Sequence, residues 1–474
     1  PSWGPDIDGD AKHRAPHCIA FVSDASNLVP GDTNGKADAF VKDLRSGAIK
    51  RVSVGTGGVQ SDGATYDVKI DGGCTRVAFT SDASNLYLSK QAAGRSKFRR
   101  PLRTAAPAAG TKQVYVRFLT GSRDNRKLGG VTWLASASKR GVPGAGDSSD
   151  VSFGRLGDGC PKRCGTSAGD SVAFTSQAGN LTGGDSNGVA DVYQRTFYLP
   201  TLNYKQRRKH RKRVLKLNTL LISSTASGQA GNGPSSNPAS NDDGEYVAFQ
   251  TDATDLVGDD HNNATDIVLR GTFADSKRER LVSDAKATGQ ANAGSYNPTI
   301  TSPASILFFD SDATNLQPNA PRGDKFYDRN CMRDVFFWNT VSGNASLQSR
   351  DSKQQIPNLP ENTGGSTEAD CPAVIAAGSS NPASSYYGNY FLFESSYPLL
   401  DFDFEQTVAD HVDGVLPANV PNPIASNPVS NPVAKWTQAA RLSHDDPSLH
   451  QVYLRYNGPK SANAKFPPSV WPKP

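Results

Sequence analysis

Phe21-Val-Ser-Asp-Ala-Ser-Asn-Leu28 returns as Phe79-Thr-Ser-Asp-Ala-Ser-Asn-Leu86, and the same frame recurs further along the chain. Phe174-Thr-Ser-Gln-Ala-Gly-Asn-Leu181, Phe249-Gln-Thr-Asp-Ala-Thr-Asp-Leu256 and Phe309-Asp-Ser-Asp-Ala-Thr-Asn-Leu316 keep it. Phe393-Glu-Ser-Ser-Tyr-Pro-Leu-Leu400 is a degenerate sixth copy. Self-similarity at this scale marks stacked supersecondary units, none of which buries its apolar face alone. Each copy is followed by a polar residue and a short β-prone run: Asp38-Ala-Phe-Val, Gln113-Val-Tyr-Val, Asp191-Val-Tyr-Gln, Asp266-Ile-Val-Leu, Asp334-Val-Phe-Phe and Gln451-Val-Tyr-Leu. Alternating aromatic and β-branched residues fit half-buried strands. Asp71-Gly72 and Asp243-Gly244 supply tight turns ahead of the next phenylalanine strand. Four strands per repeat and six repeats predict an all-β chain, a six-bladed β-propeller of four-stranded antiparallel blades.

The stretch Asp243-Gly-Glu-Tyr-Val-Ala-Phe249 resembles the WD40-like repeat of TolB-type six-bladed β-propellers. That resemblance implies a single β-propeller domain over residues 1–474, interrupted by long insertions at 87–112, 196–219 and 415–434. It says little about activity, because propellers host binding, scaffolding and catalysis alike. The opening Gly4-Pro-Asp-Ile-Asp-Gly9 is similar to Asp67-Val-Lys-Ile-Asp-Gly72. On that similarity the N-terminal strand is expected to complete the last blade and so close the ring, pairing edges that would otherwise be open. An ordinary N-terminal tail is the alternative.

The hydrophobic fraction is only 36%, with 44 Gly and 31 Pro, as short strands joined by frequent turns require. No run of eighteen apolar residues exists, so no membrane span is expected. Pro1 stands where an initiator methionine would, which reads as a removed leader; a trimmed start would look the same. Six cysteines form an even set, and the three local pairings Cys18–Cys74, Cys160–Cys164 and Cys331–Cys371 are favoured over metal binding. Together these place the protein in an extracellular or periplasmic setting.

The net charge of +5 hides a segregation. Residues 87–128 hold eleven Lys or Arg and one acid, Asp124, and residues 192–241 hold nine and no acid. The remainder carries 31 basic and 45 acidic side chains. The densest tract is Lys205, Arg207, Arg208, Lys209, Arg211, Lys212 and Arg213, flanked by runs that read as an elongated hairpin. Cations so crowded suit a polyanion, an acidic protein or anionic surface polymer, a neighbouring copy of the chain, or water. Aromatic interleaving is sparse, so a dedicated nucleic-acid reader is not expected.

Asp32-Thr-Asn-Gly-Lys-Ala-Asp38 and Asp185-Ser-Asn-Gly-Val-Ala-Asp191 share one spacing, and Asp259 to Asp266 is a related stretch with one more residue. Asp32, Asn34, Asp38, Asp185, Asn187, Asp191, Asp259 and Asp266 could converge oxygens on a structural calcium ion. The preferred reading is an Asx-turn in which Asp and Asn accept backbone N–H groups and Gly takes a positive φ. The recurrent Asp24, Asp82, Asp252 and Asp312 read as repeated blade contacts. Gly165-Thr-Ser-Ala-Gly169 matches a nucleophile elbow only formally, since no helix pattern follows it. No catalytic residue is assigned, although a hydrolase or lyase site built from several loops at the axis stays open. The 415–434 segment, rich in Asn-Pro, reads as a loose linker or as an extended strap over the ring or a neighbour, with the strap preferred. The sequence therefore points to an exported, non-catalytic binding scaffold, with a self-assembling surface or fibre subunit as its rival.

Overall fold

In a computed structural model of the chain the described residues are 1–8, 16–86, 106–119, 130–154, 170–198, 216–241, 244–258, 260–272, 279–284, 290–301, 304–316, 332–349, 375–384, 390–395 and 451–456. They are all strand, turn and irregular backbone. The first sheet holds β1 (Ser2–Ile7), β2 (Cys18–Ser23), β3 (Asp38–Asp43) and β4 (Ile49–Arg51) in sequential antiparallel order. The second repeats it with β5 (Thr65–Ile70), β6 (Arg76–Ser81), β7 (Gln113–Phe118) and β8 (Thr132–Leu134). The third has β9 (Ser148–Phe153), β10 (Asp170–Ser176), β11 (Asp191–Tyr198) and β12 (Lys216–Leu221). The fourth has β13 (Ser235–Ser240), β14 (Tyr246–Thr251), β15 (Asp266–Gly271) and β16 (Glu279–Leu281). These four-stranded antiparallel sheets are the blades of a β-propeller.

The fifth and sixth repeats share one seven-stranded sheet, so five sheets stand where six were expected. Its first part is β17 (Ser295–Ile300), β18 (Ile306–Ser311), β19 (Met332–Asn339) and β20 (Ala345–Leu347). Its second part is β21 (Ile375–Ser384), β22 (Tyr390–Ser395) and β23 (Gln451–Tyr456). A short parallel pairing of β19 with β21, Met332 opposite Ile375 and Arg333 opposite Gly378, joins them.

The N-terminus corrects one expectation. Among the described residues β1 pairs with β2 and opens the first sheet, Trp3 opposite Val22 and Ile7 opposite Ile19, where a place in the last blade was expected. Its likeness to β5 is real, because β5 opens the second sheet in the same way. The turn that follows explains the shared Asp. Asp8 Oδ1 accepts the backbone N–H groups of His17 and Cys18 at 2.6 and 2.8 Å, and Asp71 Oδ1 accepts those of Thr75 and Arg76 at 2.6 and 3.0 Å. The motif therefore marks the start of a blade.

All six opening strands carry a register shift at the same place. Asn237, Asn297 and Asn381 adopt φ of 52° there, each followed by proline. Asn tolerates the left-handed region, and proline removes the donor that a bulge would leave unpaired.

The chain divides into two compact units: Pro1–Asp260 with Val268–Arg280 and Ser302–Ala304, and His261–Ile267 with Leu281–Thr301 and Ser305–Pro474. In the first unit, consecutive sheets pack through apolar faces. Ala20, Val22 and Val41 meet Val68, Ile70 and Phe79, and Val114 and Val116 meet Val151, Val172 and Phe174. Ala173 and Val192 meet Val247, Phe249 and Val268. Each Val, Ile or Phe side chain among them, when fully buried, contributes about 1.5–3 kcal/mol. In the second unit, Phe308 and Val335 pack with Phe393. The repeated phenylalanine stacks on its cross-strand partner in several blades: Phe21 on Phe40, Phe79 on Tyr115, Phe174 on Tyr193 and Phe309 on Phe336, with centroids 5.6–5.9 Å apart.

Cys18 and Cys74 form a disulfide, as expected, with Cα atoms 6.0 Å apart. The pairings Cys160–Cys164 and Cys331–Cys371 lie outside the described residues, as do all of 415–434 and most of 87–112.

Candidate functional site

The most repeated polar feature is a buried side-chain network at the start of each third strand. Asp38 is fully buried, and its Oδ1 accepts the Ser53 hydroxyl at 2.5 Å. Ser53 Oγ in turn accepts the Ala39 backbone N–H at 3.0 Å. Ser223 donates to Asp191 at 2.6 Å and Ser283 to Asp266 at 2.5 Å, and Ser349 donates to Asp334. The following backbone N–H groups of Val192, Ile267 and Val335 bond to those serines at 2.9–3.0 Å. A carboxylate oxygen and a hydroxyl thus satisfy a strand-start N–H that the sheet leaves unpaired.

The Asn of each loop completes the device. Asn34 Nδ2 donates to Asp38 Oδ2 and to the Ser61 carbonyl, both at 3.1 Å. Its Oδ1 accepts the Lys36 N–H at 3.0 Å, an Asx-turn. Asn187 does the same, donating to Asp191 Oδ2 and the Gly231 carbonyl at 2.8 Å and accepting from Val189. Asn262 donates to the Ala291 carbonyl at 3.1 Å and accepts from Ala264. In the second blade one residue does both jobs. Gln113 Oε1 accepts the Ser136 hydroxyl at 2.7 Å, and its Nε2 donates to the Gly144 carbonyl at 3.2 Å.

These contacts fix the register of the third loop. Its Asn262 and Asp266 match Asn34 and Asp38, so the residue equivalent to Asp32 and Asp185 is Asp260, which is buried. Asp259, the sequence candidate, lies outside the described residues. Two adjacent aspartates made the spacing ambiguous in the sequence.

The first two loops differ in what neutralises them. Arg51 Nη1 lies 2.9 Å from Asp32 Oδ1 and 3.5 Å from Asp38 Oδ2, and Gln60 Nε2 donates to Asp32 Oδ1 at 3.1 Å. In the second loop Leu221 stands at the Arg51 position and Ala230 at the Gln60 position. Tyr193, at the Phe40 position, donates its hydroxyl to Asp185 Oδ2 instead. Burial pushes the Asp191 carboxyl up to about 6, with the Asp185 charge adding to the effect. Asp38 is also raised by burial, but Arg51 opposes the shift. Among the described residues no group of three or more His, Cys, Asp or Glu side chains is placed to hold a metal ion.

Of the basic residues, Arg117 and Arg195 have structural posts. Arg117 Nη1 donates to the Val54 carbonyl at 2.9 Å, and Arg195 Nη1 to the Ala137 carbonyl at 3.0 Å. Arg270 reaches the Ser224 carbonyl in the same way. Each guanidinium clamps a third strand to the outer turn of the preceding sheet. Desolvation lowers Arg117 and Arg195 to about 10. The tract Lys205, Arg207, Arg208, Lys209, Arg211, Lys212 and Arg213 lies outside the described residues. Its flanks are described: β11 and β12 pair from Tyr193 with Leu221 out to Tyr198 with Lys216. That six-residue β12 contrasts with the three-residue β4, β8, β16 and β20. The elongated hairpin stem expected from the sequence is present.

In the second unit Arg333 makes a bidentate contact with Asp312 at 2.8 and 2.9 Å, lies 3.6 Å from Asp310 and stacks over Tyr296 at 4.2 Å. Burial pushes Asp310 up to about 7. The second blade has a counterpart, in which Lys112 lies over Tyr66 at 4.4 Å and Tyr66 donates to Asp82 at 2.8 Å. Repetition marks this trio as architecture, since a catalytic site needs unlike groups in one place. The Gly165–Gly169 elbow match lies outside the described residues.

No family model matches the chain, and no curated protein matches it. Solved structures similar to it include a putative TolB from Agrobacterium tumefaciens, at 12% identity over 73% of this chain and 80% of that one, with a TM-score of 0.33. TolB from Acinetobacter baumannii is similar at 11% identity over 73% of this chain and 54% of that one, with a TM-score of 0.33. An acylaminoacyl peptidase from Pyrococcus horikoshii is similar at 9% identity over 73% of this chain and 38% of its own, with a TM-score of 0.32. The chain thus spans about half of the second and well under half of the third. At this level of likeness no activity, ligand or partner of those proteins is transferred to this one.

Proposed function

We propose that this chain is an exported, non-catalytic β-propeller that binds an acidic partner, an anionic polymer or an acidic protein face, through the cationic tract of its third blade. The observation that carries this reading is the β11–β12 stem. It is paired as far as Tyr198 and Lys216, and the connection it closes contains Lys205, Arg207, Arg208, Lys209, Arg211, Lys212 and Arg213. Arg195, at the root of the stem, is already committed to backbone carbonyls. Beyond the stem the sequence gathers seven Lys or Arg and no acid in one connection. Like charges gathered in one connection repel one another, and a polyanion relieves that repulsion while releasing its counterions. The Cys18–Cys74 disulfide supports an oxidising compartment.

The test is retention on immobilised heparin across a salt series, comparing the wild type with a variant in which the seven tract cations are changed to glutamine. Binding by six to ten anion contacts would weaken about a thousandfold or more between low and moderate salt. The variant is expected to lose retention and the salt dependence together. Equal retention by wild type and variant overturns the reading.

A further inference from the structure

We propose that the second loop is a hard-cation site, in which the carboxylates of Asp185 and Asp191 hold a metal ion that does the work of the Arg51 guanidinium in the first loop. The inference is independent of the polyanion reading. It starts from a repeat in which sequence, backbone and hydrogen bonds coincide. Asp32, Asn34 and Asp38 match Asp185, Asn187 and Asp191, and the Asn and Ser contacts are reproduced atom for atom. What differs is the positive charge, together with the Tyr193 hydroxyl on Asp185 Oδ2 where the first loop has Phe40. Asp32 Oδ1 receives Arg51 and Gln60, whereas the equivalent Asp185 Oδ1 is buried without a hydrogen-bond partner.

Asp185 is 7% exposed and Asp191 is fully buried. Among the described residues neither pairs with a lysine or arginine, and Leu221 and Ala230 offer no donor side chain in place of Arg51 and Gln60. Two carboxylates withdrawn from water without a counter-charge are strongly unfavourable, and a bound cation or a retained proton relieves them. Carboxylate oxygens suit a hard ion such as calcium or sodium and disfavour soft metals; the Asn187 amide is already committed, its Oδ1 to the Val189 N–H and its Nδ2 to Asp191. The first loop shows that a single positive charge at this position satisfies the frame.

Terbium, a luminescent calcium substitute, tests the site directly, because the Tyr193 hydroxyl on Asp185 puts a sensitising phenol beside the ion. The wild type is expected to show tyrosine-sensitised terbium emission that calcium displaces. Loading at roughly a hundredfold excess over Kd should raise Tm by about 3 °C in a chain of this size. Asp185→Asn should weaken binding about tenfold or more. Leu221→Arg, which transplants the guanidinium of the first loop, should abolish the emission and the cation-dependent Tm shift. If Leu221→Arg does not fold, Asp185→Asn decides. A Tm rise with sodium over N-methylglucamine at equal ionic strength, lost in Asp185→Asn, would also support the site and make its occupant monovalent. No response to terbium, calcium or sodium in the wild type would overturn it, as would responses unchanged in Asp185→Asn.

Discussion

The loops of the first and third blades are written in one frame, Asp-x-Asn-Gly-x-Ala-Asp, and fold into one hydrogen-bond pattern, yet only one of them carries its own counter-charge. The difference lies outside the frame. Arg51 and Gln60 come from the neighbouring strand and the turn beyond it, and Leu221 and Ala230 replace them. A turn motif therefore specifies the backbone by itself, while its electrostatics belong to the strand it packs against. The second blade takes this to its limit: Gln113 holds the same Ser and the same carbonyl with no charge at all. The carboxylate is one of two solutions to a backbone problem, and it becomes a chemical asset only where nothing neutralises it.

The most severe way to break the comparison is Arg51→Leu, which makes the first loop electrostatically like the second. Removing one partner of a buried pair costs about 3–5 kcal/mol, to be read from denaturant unfolding. A loss below about 1 kcal/mol would show that Arg51 is not the counter-charge.

Next in size is a pH effect that separates a cation in contact from a cation merely near. Arg333 lies 3.6 Å from Asp310 but is committed to Asp312, and burial keeps the Asp310 carboxyl at about 7. The folded state thus holds a proton that the unfolded chain releases near the ordinary carboxylate value. This contribution to stability is complete below that value, declines as pH rises toward about 7, and is gone above it. Asp310→Asn should flatten that slope in unfolding experiments across the range. An unchanged slope would assign the proton elsewhere.

A smaller contrast separates charged from neutral acceptors. Ser53→Ala removes a hydroxyl from a carboxylate, and Ser136→Ala removes one from an amide. Hydrogen bonds to charged groups are worth about 1.5–3 kcal/mol and neutral ones about 0.5–1.5, so Ser53→Ala should cost about 1 kcal/mol more. Equal losses would mean that Asp38 carries no full charge. Smallest is Gln60→Ala, which leaves Asp32 with Arg51 alone. Gln60 is only half-buried and Arg51 stays on Asp32, so a loss of about 1 kcal/mol, below the range for a buried bond to a charged group, is expected, and calcium should not restore it.

Much of this was legible in the chain. The phenylalanine frame gave the strands, and its recurrence gave the blade plan. Cys18 and Cys74 paired as their places before successive phenylalanine strands suggested, and the long β11–β12 stem followed from the runs on either side of the basic tract. What sequence could not settle was pairing between distant segments. The likeness of residues 4–9 to 67–72 correctly identified a strand, but a strand does not state its neighbour, and β1 pairs within its own sheet. The same limit hid Arg51, which sits thirteen positions beyond Asp38 on a strand whose register alone brings the two together. Asp260 was missed beside Asp259 for want of the Asn262 contacts.

The arginine clamps have a consequence for how such a chain can grow. Arg117, Arg195 and Arg270 each grip a carbonyl in the turn that ends the preceding sheet. A duplicated module would therefore dock only behind a neighbour presenting that oxygen, and a deleted one would strand a buried guanidinium. The second, third and fourth repeats are not interchangeable beads: each is keyed to its predecessor, and their order is written into the joints.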